Sequence, residues 1–202
     1  MIPINQFIHS LPKEFDQDKE PWEITATLAD SINRIISLLG DDFVINDGIA
    51  VHKTAVVETG VILKPPVIIG EGCFIGAHAY LREGVYLANN VSVGPGCEIK
   101  SSVICDHTAL AHFNFIGDSI IGSEVNFEAG SVTANHYNER TDKNIFVSYN
   151  AEITATESTK FGSLVGDRCR IGANAVLSPG TLLPAGSVVK RLALIEQVKI
   201  NN

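Results

Sequence analysis

The chain has 202 residues, of which 45% are hydrophobic and 19% are charged, and its formal net charge is −8. This composition excludes a mostly disordered or collagen-like chain, and no apolar run is long enough to span a bilayer as a helix. The acidic balance makes nucleic acid a poor partner, and four cysteines are too few for a disulfide scaffold. The N-terminus lacks the basic start and apolar centre of a secretory signal, so we expect a cytoplasmic protein with no membrane partner.

The N-terminal segment, residues 1–48, lies before the regular part of the chain. We predict a short strand around residues 4–7 and one helix over residues 21–39, where apolar residues recur at helical spacing. Pro21 stands near the start of this helix and Gly40 at its end. The helix either caps the first coil of the repeat region, which would otherwise present an unpaired sheet edge, or packs along its side.

A six-residue period begins at Val51 and runs through most of the chain. The residues at this spacing are apolar in eleven consecutive hexads: Val51, Val57, Leu63, Ile69, Ile75, Leu81, Leu87, Val93, Ile99, Cys105 and Ala111. The residue four positions further on is small or β-branched in the first ten of these hexads. After Ala111 the step shortens twice to five, reaching Ile116 and Ile121, and the pattern resumes at Val165.

A period of six fits short strands joined by tight turns, and fits neither an amphipathic helix nor a long strand. Each aliphatic residue then points inward, and successive coils stack at the strand spacing. We therefore predict an all-β protein with a parallel β-helix over residues 49–191, a loop inserted at about 136–162 and a C-terminal tail at 192–202. The polar inserted loop is either part of a binding face or an irregular coil without a role. The cysteines are expected to be small buried hydrophobic residues.

The segment around His112 carries the residues best suited to chemistry. Imidazole titrates near neutral pH and suits general-base catalysis, although an exposed histidine on a coil is more often without a role. The stretch AHFNFIGDS at 111–119 continues to TAN at 133–135, with YLREG at 80–84 and AGSVVKR at 185–191. These motifs resemble the hexapeptide-repeat acyltransferases. The resemblance is strongest to the acetyltransferase domain of bifunctional N-acetylglucosamine-1-phosphate uridyltransferase/glucosamine-1-phosphate acetyltransferases and to related sugar-1-phosphate nucleotidyltransferase-like proteins.

The resemblance implies a left-handed β-helix with three hexads per coil and a homotrimer with active sites between subunits. It also implies an N-acetyltransferase that uses acetyl-CoA to acetylate an amino sugar phosphate, such as glucosamine-1-phosphate, in UDP-N-acetylglucosamine biosynthesis. His112 falls on the catalytic base, and no metal ligand is implied. The other matched positions are Arg82 and Lys100 for the sugar phosphate, Asn126 for the sugar, Asn135 near the thioester and Arg191 near the CoA phosphates.

The sequence departs from the family pattern at Phe115, Glu128 and His136, where the family carries Tyr, Gly and Tyr. These changes put the acceptor sugar in doubt. The basic residues that follow in the family align poorly here, and Lys143 or Lys160 is a candidate to replace them. Residues 1–48 leave no room for the nucleotidyltransferase domain of the relatives, so we do not expect uridylyl transfer.

Two other functions are consistent with the same fold. A metalloenzyme like the γ-carbonic anhydrases would use His107 and His112 as ligands. A third histidine is then expected near position 71, where Glu71 stands, and His78 is out of register. The other alternative is a non-catalytic β-helix that serves in assembly or regulation.

Overall fold

A computed structural model describes residues 1–199 of the chain; residues 200–202, the end of the predicted tail, lie outside the described residues. A 3-10 helix (Ile4–Gln6) and two helices, α1 (Pro21–Ala26) and α2 (Leu28–Ile36), come first. The strands follow in chain order: β1 (Phe43–Asn46), β2 (Ile49–His52), β3 (Val56–Val57), β4 (Ile62–Leu63), β5 (Val67–Ile69), β6 (Phe74–Ile75), β7 (Tyr80–Leu87), β8 (Ser92–Val93), β9 (Glu98–Ile104), β10 (Ala109–Leu110), β11 (Phe115–Gly117), β12 (Ile120–Ile121), β13 (Asn126–Phe127), β14 (Val132–Thr133), β15 (Phe146–Tyr149), β16 (Glu152–Ala155), β17 (Ser163–Val165), β18 (Arg170–Ile171), β19 (Val176–Leu177), β20 (Thr181–Leu183), β21 (Val188–Val189) and β22 (Leu194–Ile195). No helix in this part of the chain is long and apolar enough to cross a membrane.

Parallel pairing arranges these short strands into three faces of a solenoid. Face 1 contains β2, β5, the second half of β7, the second half of β9, β12, β17 and β20. Face 2 contains β3, β6, β8, β10, β13, β18 and β21. Face 3 contains β4, the first halves of β7 and β9, β11, β14, β19 and β22. The parallel β-helix predicted from the six-residue period is therefore confirmed.

One continuous apolar core fills the interior of the solenoid. It contains residues from all three faces, among them Leu81, Ile99, Ile116, Phe127 and Leu177, each fully buried. Cys73, Cys97 and Cys169 belong to this core, and Cys105 is buried as well. The cysteines thus act as small hydrophobic residues, as predicted.

The inward register differs from the prediction at two positions on the central coils. Ile104 and Leu110 point into the interior core, where the six-residue period predicts Cys105 and Ala111. The first five-residue step therefore falls between Ile99 and Ile104, and not after Ala111. Cys105 packs instead in a second core on the outside of face 1. The prediction was wrong here because face 1 is apolar on both sides of its strands.

The second core lies between face 1 and the N-terminal segment. Trp22, Leu28 and Ile32 of the two helices pack against an outward row of apolar residues on six of the seven strands of face 1, namely Ala50, Ile68, Val103, Ile120, Leu164 and Leu182. The helices therefore pack along the side of the solenoid. The edge of β2 is covered instead by β1, which pairs with it in antiparallel orientation.

Two local predictions for the N-terminal segment were wrong. Residues 4–6 form a 3-10 helix and not a strand, and the predicted single helix is interrupted at Thr27. The Thr27 hydroxyl donates a hydrogen bond of 2.9 Å to the Glu23 carbonyl oxygen, which satisfies an acceptor at the end of α1.

Residues 136–162 leave the solenoid between faces 3 and 1. Within this insert β15 and β16 pair as an antiparallel hairpin. The hairpin packs on the N-terminal segment, where the Tyr149 hydroxyl donates to Gln6 at 2.6 Å and the Tyr149 ring meets the Phe7 ring at 6.0 Å. The insert and the N-terminal segment therefore stabilise each other on the same side of the molecule.

A side-chain amide covers the last strand of face 1. Gln197 donates from Nε2 to the carbonyl oxygen of Leu182 and accepts the Leu182 N–H at Oε1, both at 2.8 Å. These two bonds reproduce the pairing that a neighbouring strand would make with β20.

Candidate functional site

His112 lies exposed on the corner between faces 2 and 3. Backbone hydrogen bonds stack this corner coil upon coil, because the His112 carbonyl accepts the Gly130 N–H at 2.8 Å and the Ala129 carbonyl accepts the Asn174 N–H at 3.0 Å. The next bond, from the Leu192 N–H to the Ala173 carbonyl at 3.0 Å, places Arg191 above Ala173. Arg191 therefore lies three coils from His112 on the same corner, about 14 Å away at the usual strand spacing.

A surface cavity of about 560 Å³ lies on face 2 beside this corner. Its lining includes Asn126, Glu128, Arg170, Lys190 and Arg191. Three of these five side chains are cationic, so the cavity offers positive charge on an otherwise acidic protein. The structure thus brings together two residues that the resemblance singled out, Asn126 and Arg191.

The guanidinium group of Arg191 is already paired with the carboxylate of Glu128. The Glu128 carboxylate accepts hydrogen bonds from Arg191 at 2.7 and 3.0 Å and from the Ala173 N–H at 2.9 Å. The bonds from Arg191 and Ala173 lower the pKa of the Glu128 carboxyl to about 2. Glu128 is therefore anionic at neutral pH, and any anion that binds Arg191 meets this carboxylate.

Lys100 and Arg82 lie at the other end of face 3, on the corner between faces 3 and 1. The Lys100 ammonium is buried and donates to both oxygens of Asp118 at 3.1 and 2.9 Å, and it pairs with Glu83 at 3.2 Å. Arg82 donates from Nε to Glu98 at 2.8 Å and also pairs with Glu83. The two predicted phosphate-binding cations are thus adjacent, but three carboxylates already surround them.

Asn135 joins this corner and not the cavity beside Arg191. Its buried side-chain amide donates to Asp118, and its oxygen lies 3.4 Å from the His136 ring. The Asp118 carboxylate therefore receives donors from both Lys100 and Asn135, which explains how a charge buried to this extent is stabilised.

Within one chain the predicted site residues form two separate groups. His112, Asn126 and Arg191 lie on face 2 or at its corner with face 3, whereas Arg82, Lys100 and Asn135 lie at the far edge of face 3. Crossing face 3 from His112 to Asp118 takes six residues, or about 20 Å of extended chain. Phe115, one of the departures from the family pattern, lies half-buried on the strand between them.

The sequence alone did not indicate a role for the carboxylates Glu83, Glu98 and Asp118 or for Arg170 and Lys190. The signal that could have found Asp118 is the coil period. Arg82, Lys100 and Asp118 are spaced at eighteen residues, which places like positions of successive coils side by side. In residues 1–199 no group of three or more His, Cys, Asp or Glu side chains is arranged to hold a metal ion.

Comparisons with known proteins agree with the repeat. Residues 66–101 match the family described as bacterial transferase hexapeptide (six repeats), and residues 164–190 match the hexapeptide repeat of succinyl-transferase. Hexapeptide repeats imply left-handed winding of the parallel β-helix, in agreement with the predicted fold class.

Two curated relatives align with this chain, one over most of its length and the other over about half. The bifunctional protein GlmU of Methanococcus maripaludis is 30% identical over 183 residues, which cover 88% of this chain and 43% of that protein. A bifunctional sugar-1-phosphate nucleotidylyltransferase/acetyltransferase of Sulfurisphaera tokodaii is 33% identical over 101 residues, covering 46% of this chain and 24% of that protein. The chain therefore spans less than half the length of these relatives.

Among solved structures, a hexapeptide transferase family protein from Anaplasma phagocytophilum superposes with a TM-score of 0.47 and 21% identity. This superposition covers 73% of the present chain and 74% of the other.

Proposed function

Because the chain is a hexapeptide-repeat protein that resembles the acetyltransferase part of the GlmU proteins, we propose that it is an acyltransferase that uses acetyl-CoA to acetylate an amino sugar. The observation that carries this proposal is the placement of His112. Its ring is exposed on the same corner as Arg191, beside a cavity that also contains Asn126. An imidazole and a guanidinium group thus lie on one corner of the solenoid, separated by a distance that an extended pantetheine arm can cross.

The chemistry assigns one step to each group. The acceptor amine loses a proton to the His112 imidazole as its nitrogen forms a bond to the thioester carbon. The carbon–sulfur bond then breaks, and coenzyme A leaves as a thiolate that takes up a proton. Arg191, with Arg170 and Lys190 nearby, is suited to hold the phosphates of the acyl donor.

We propose a sugar phosphate such as glucosamine-1-phosphate as the acceptor, with Arg82 and Lys100 facing its phosphate. These two cations lie across face 3 from His112, so a site that uses all three residues needs a second copy of the chain. A homotrimer with sites between subunits meets this need, because one subunit can offer the His112 corner to the Lys100 corner of its neighbour.

The test is a thiol-release assay with acetyl-CoA and a panel of amino sugars and their phosphates. We expect turnover with at least one acceptor and a loss in kcat of about 100-fold or more in His112→Asn, because an amide cannot take the proton. His107→Asn is the matched control, since His107 is an exposed histidine on another corner. No turnover with any acceptor, or unchanged turnover in His112→Asn, would count against the proposal.

One observation favours the alternative of a non-catalytic assembly module. Arg82, Lys100 and Arg191, the three cations predicted to bind anions, each pair with a carboxylate of the same chain. In that case the variants at these positions would change stability or assembly, and the thiol-release assay would remain at background for the wild type.

A further inference from the structure

Glu83 holds the two predicted phosphate-binding cations together. One carboxylate oxygen accepts from Arg82, and the other lies 3.2 Å from the Lys100 ammonium. No other carboxylate in the described part of the chain contacts both cations, because Glu98 pairs with Arg82 alone and Asp118 with Lys100 alone. The Glu83 carboxylate thus lies where an anion bridging Arg82 and Lys100 would bind.

The backbone that carries Glu83 is fixed by its surroundings. Glu83 has a φ of 58°, at a register shift within β7, and the Ser101 hydroxyl donates to its carbonyl oxygen at 2.9 Å. The next residue, Gly84, packs so closely on α2 that a Cβ there would lie 3.1 Å from the Ala29 nitrogen. Helix α2 therefore holds the bend at Glu83 and Gly84 in place.

The side chains around the two cations differ in their freedom to move. The Glu83 side chain is 54% exposed, whereas those of Lys100 and Asp118 are 6% and 9% exposed. Burial alone would raise the pKa of the Glu83 carboxyl, but hydrogen bonds and attraction from Lys100 and Arg82 outweigh it and leave the pKa below its ordinary value. Glu83 is thus an anion at neutral pH. Of the two carboxylates that pair with Lys100, it is the one exposed enough to rotate into solvent.

We propose that the Glu83 carboxylate competes with the phosphate of the acceptor for Arg82 and Lys100. The phosphate must displace this carboxylate to reach the two cations. This inference rests on the proposed function. When Glu83 swings out, Lys100 keeps its two bonds to Asp118, and Arg82 keeps its bond to Glu98. The site can therefore exchange one anion for another without exposing a buried unpaired charge. Glu83 would then set how strongly the enzyme prefers phosphorylated acceptors over neutral ones.

The kinetic test compares wild type with Glu83→Gln and Glu83→Ala, using glucosamine-1-phosphate and glucosamine as acceptors. We expect both variants to lower the KM for glucosamine-1-phosphate by about tenfold and to leave the KM for acetyl-CoA unchanged. The KM for glucosamine should not fall. Glu124→Gln, an exposed carboxylate on a different corner, controls for the change in net charge. An unchanged or higher KM for glucosamine-1-phosphate in both variants would overturn the proposal, because Glu83 would then only support the cations.

A binding test separates this inference from the proposed activity. Inorganic phosphate is titrated against each purified protein, and the midpoint of thermal unfolding is measured. We expect a phosphate-dependent rise in Tm that is larger in Glu83→Ala than in wild type and in Glu124→Gln. If no acceptor is turned over but this difference appears, the proposed reaction fails while the competitor role stands. If Glu83→Ala shows no greater response to phosphate, the competitor role is wrong.

Discussion

Removing the charge of Lys100 should destabilise the fold, because its ammonium is the main partner of a buried carboxylate. In Lys100→Met the carboxylate of Asp118, whose side chain is 9% exposed, keeps only the Asn135 amide as a side-chain donor. Breaking a buried ion pair from one side costs about 3–5 kcal/mol. Since Asn135 remains and the methionine can still fill the space, we expect a loss near the lower end, about 3 kcal/mol.

The measurement is the free energy of unfolding in urea at one fixed protein concentration, since any oligomer makes stability depend on concentration. Lys160→Met, an exposed lysine of the insert, should change stability by less than about 0.5 kcal/mol. Adding Asp118→Asn to Lys100→Met should restore part of the loss, because no buried charge is then left unpaired. A loss below about 1 kcal/mol in Lys100→Met, or no coupling in the double variant, would refute the reasoning.

Three further predictions concern other parts of the molecule. Phe127→Ala should cost about 3–5 kcal/mol of unfolding free energy in urea, because Phe127 is fully buried, whereas Phe113→Ala, at an exposed ring, should cost less than about 0.5 kcal/mol. Glu128 should titrate near pH 2 by NMR, so its stabilising contribution is present above pH 4.5 and lost as the pH falls toward 2; Arg191→Ala should return the pKa toward its usual value. Burial raises the pKa of the Cys73 thiol to about 11, so it should not react with a thiol reagent at pH 8 unless the protein is unfolded.

The solenoid could be predicted because its period is imposed by packing. An inward aliphatic residue every sixth position is visible without any knowledge of the neighbouring coils. The predicted register of inward residues was wrong where this signal is ambiguous. Val103, Ile104 and Cys105 are all buried, because the N-terminal helices cover the outer side of face 1. An outward row of apolar residues one coil apart, from Ala50 and Ile68 onward, was the available sign that the helices pack there.

The candidate site was predictable in part. The motif around His112 drew attention to residues that the structure places on an exposed corner beside a cavity. The pairing of Lys100 with Asp118 and Glu83 was not predicted, because it depends on which side chains meet between coils and on the bend at Glu83. The distance between the His112 and Lys100 corners likewise follows only once the faces are assigned.

The amide of Gln197 has a consequence for how copies of this molecule meet. A solenoid end resembles the growing tip of a fibril, since its last strand offers donors and acceptors to any extended chain. At Leu182 both groups are already taken by Gln197, so nothing remains there for an incoming strand to bind. On this face the Gln197 amide therefore opposes end-to-end polymerisation.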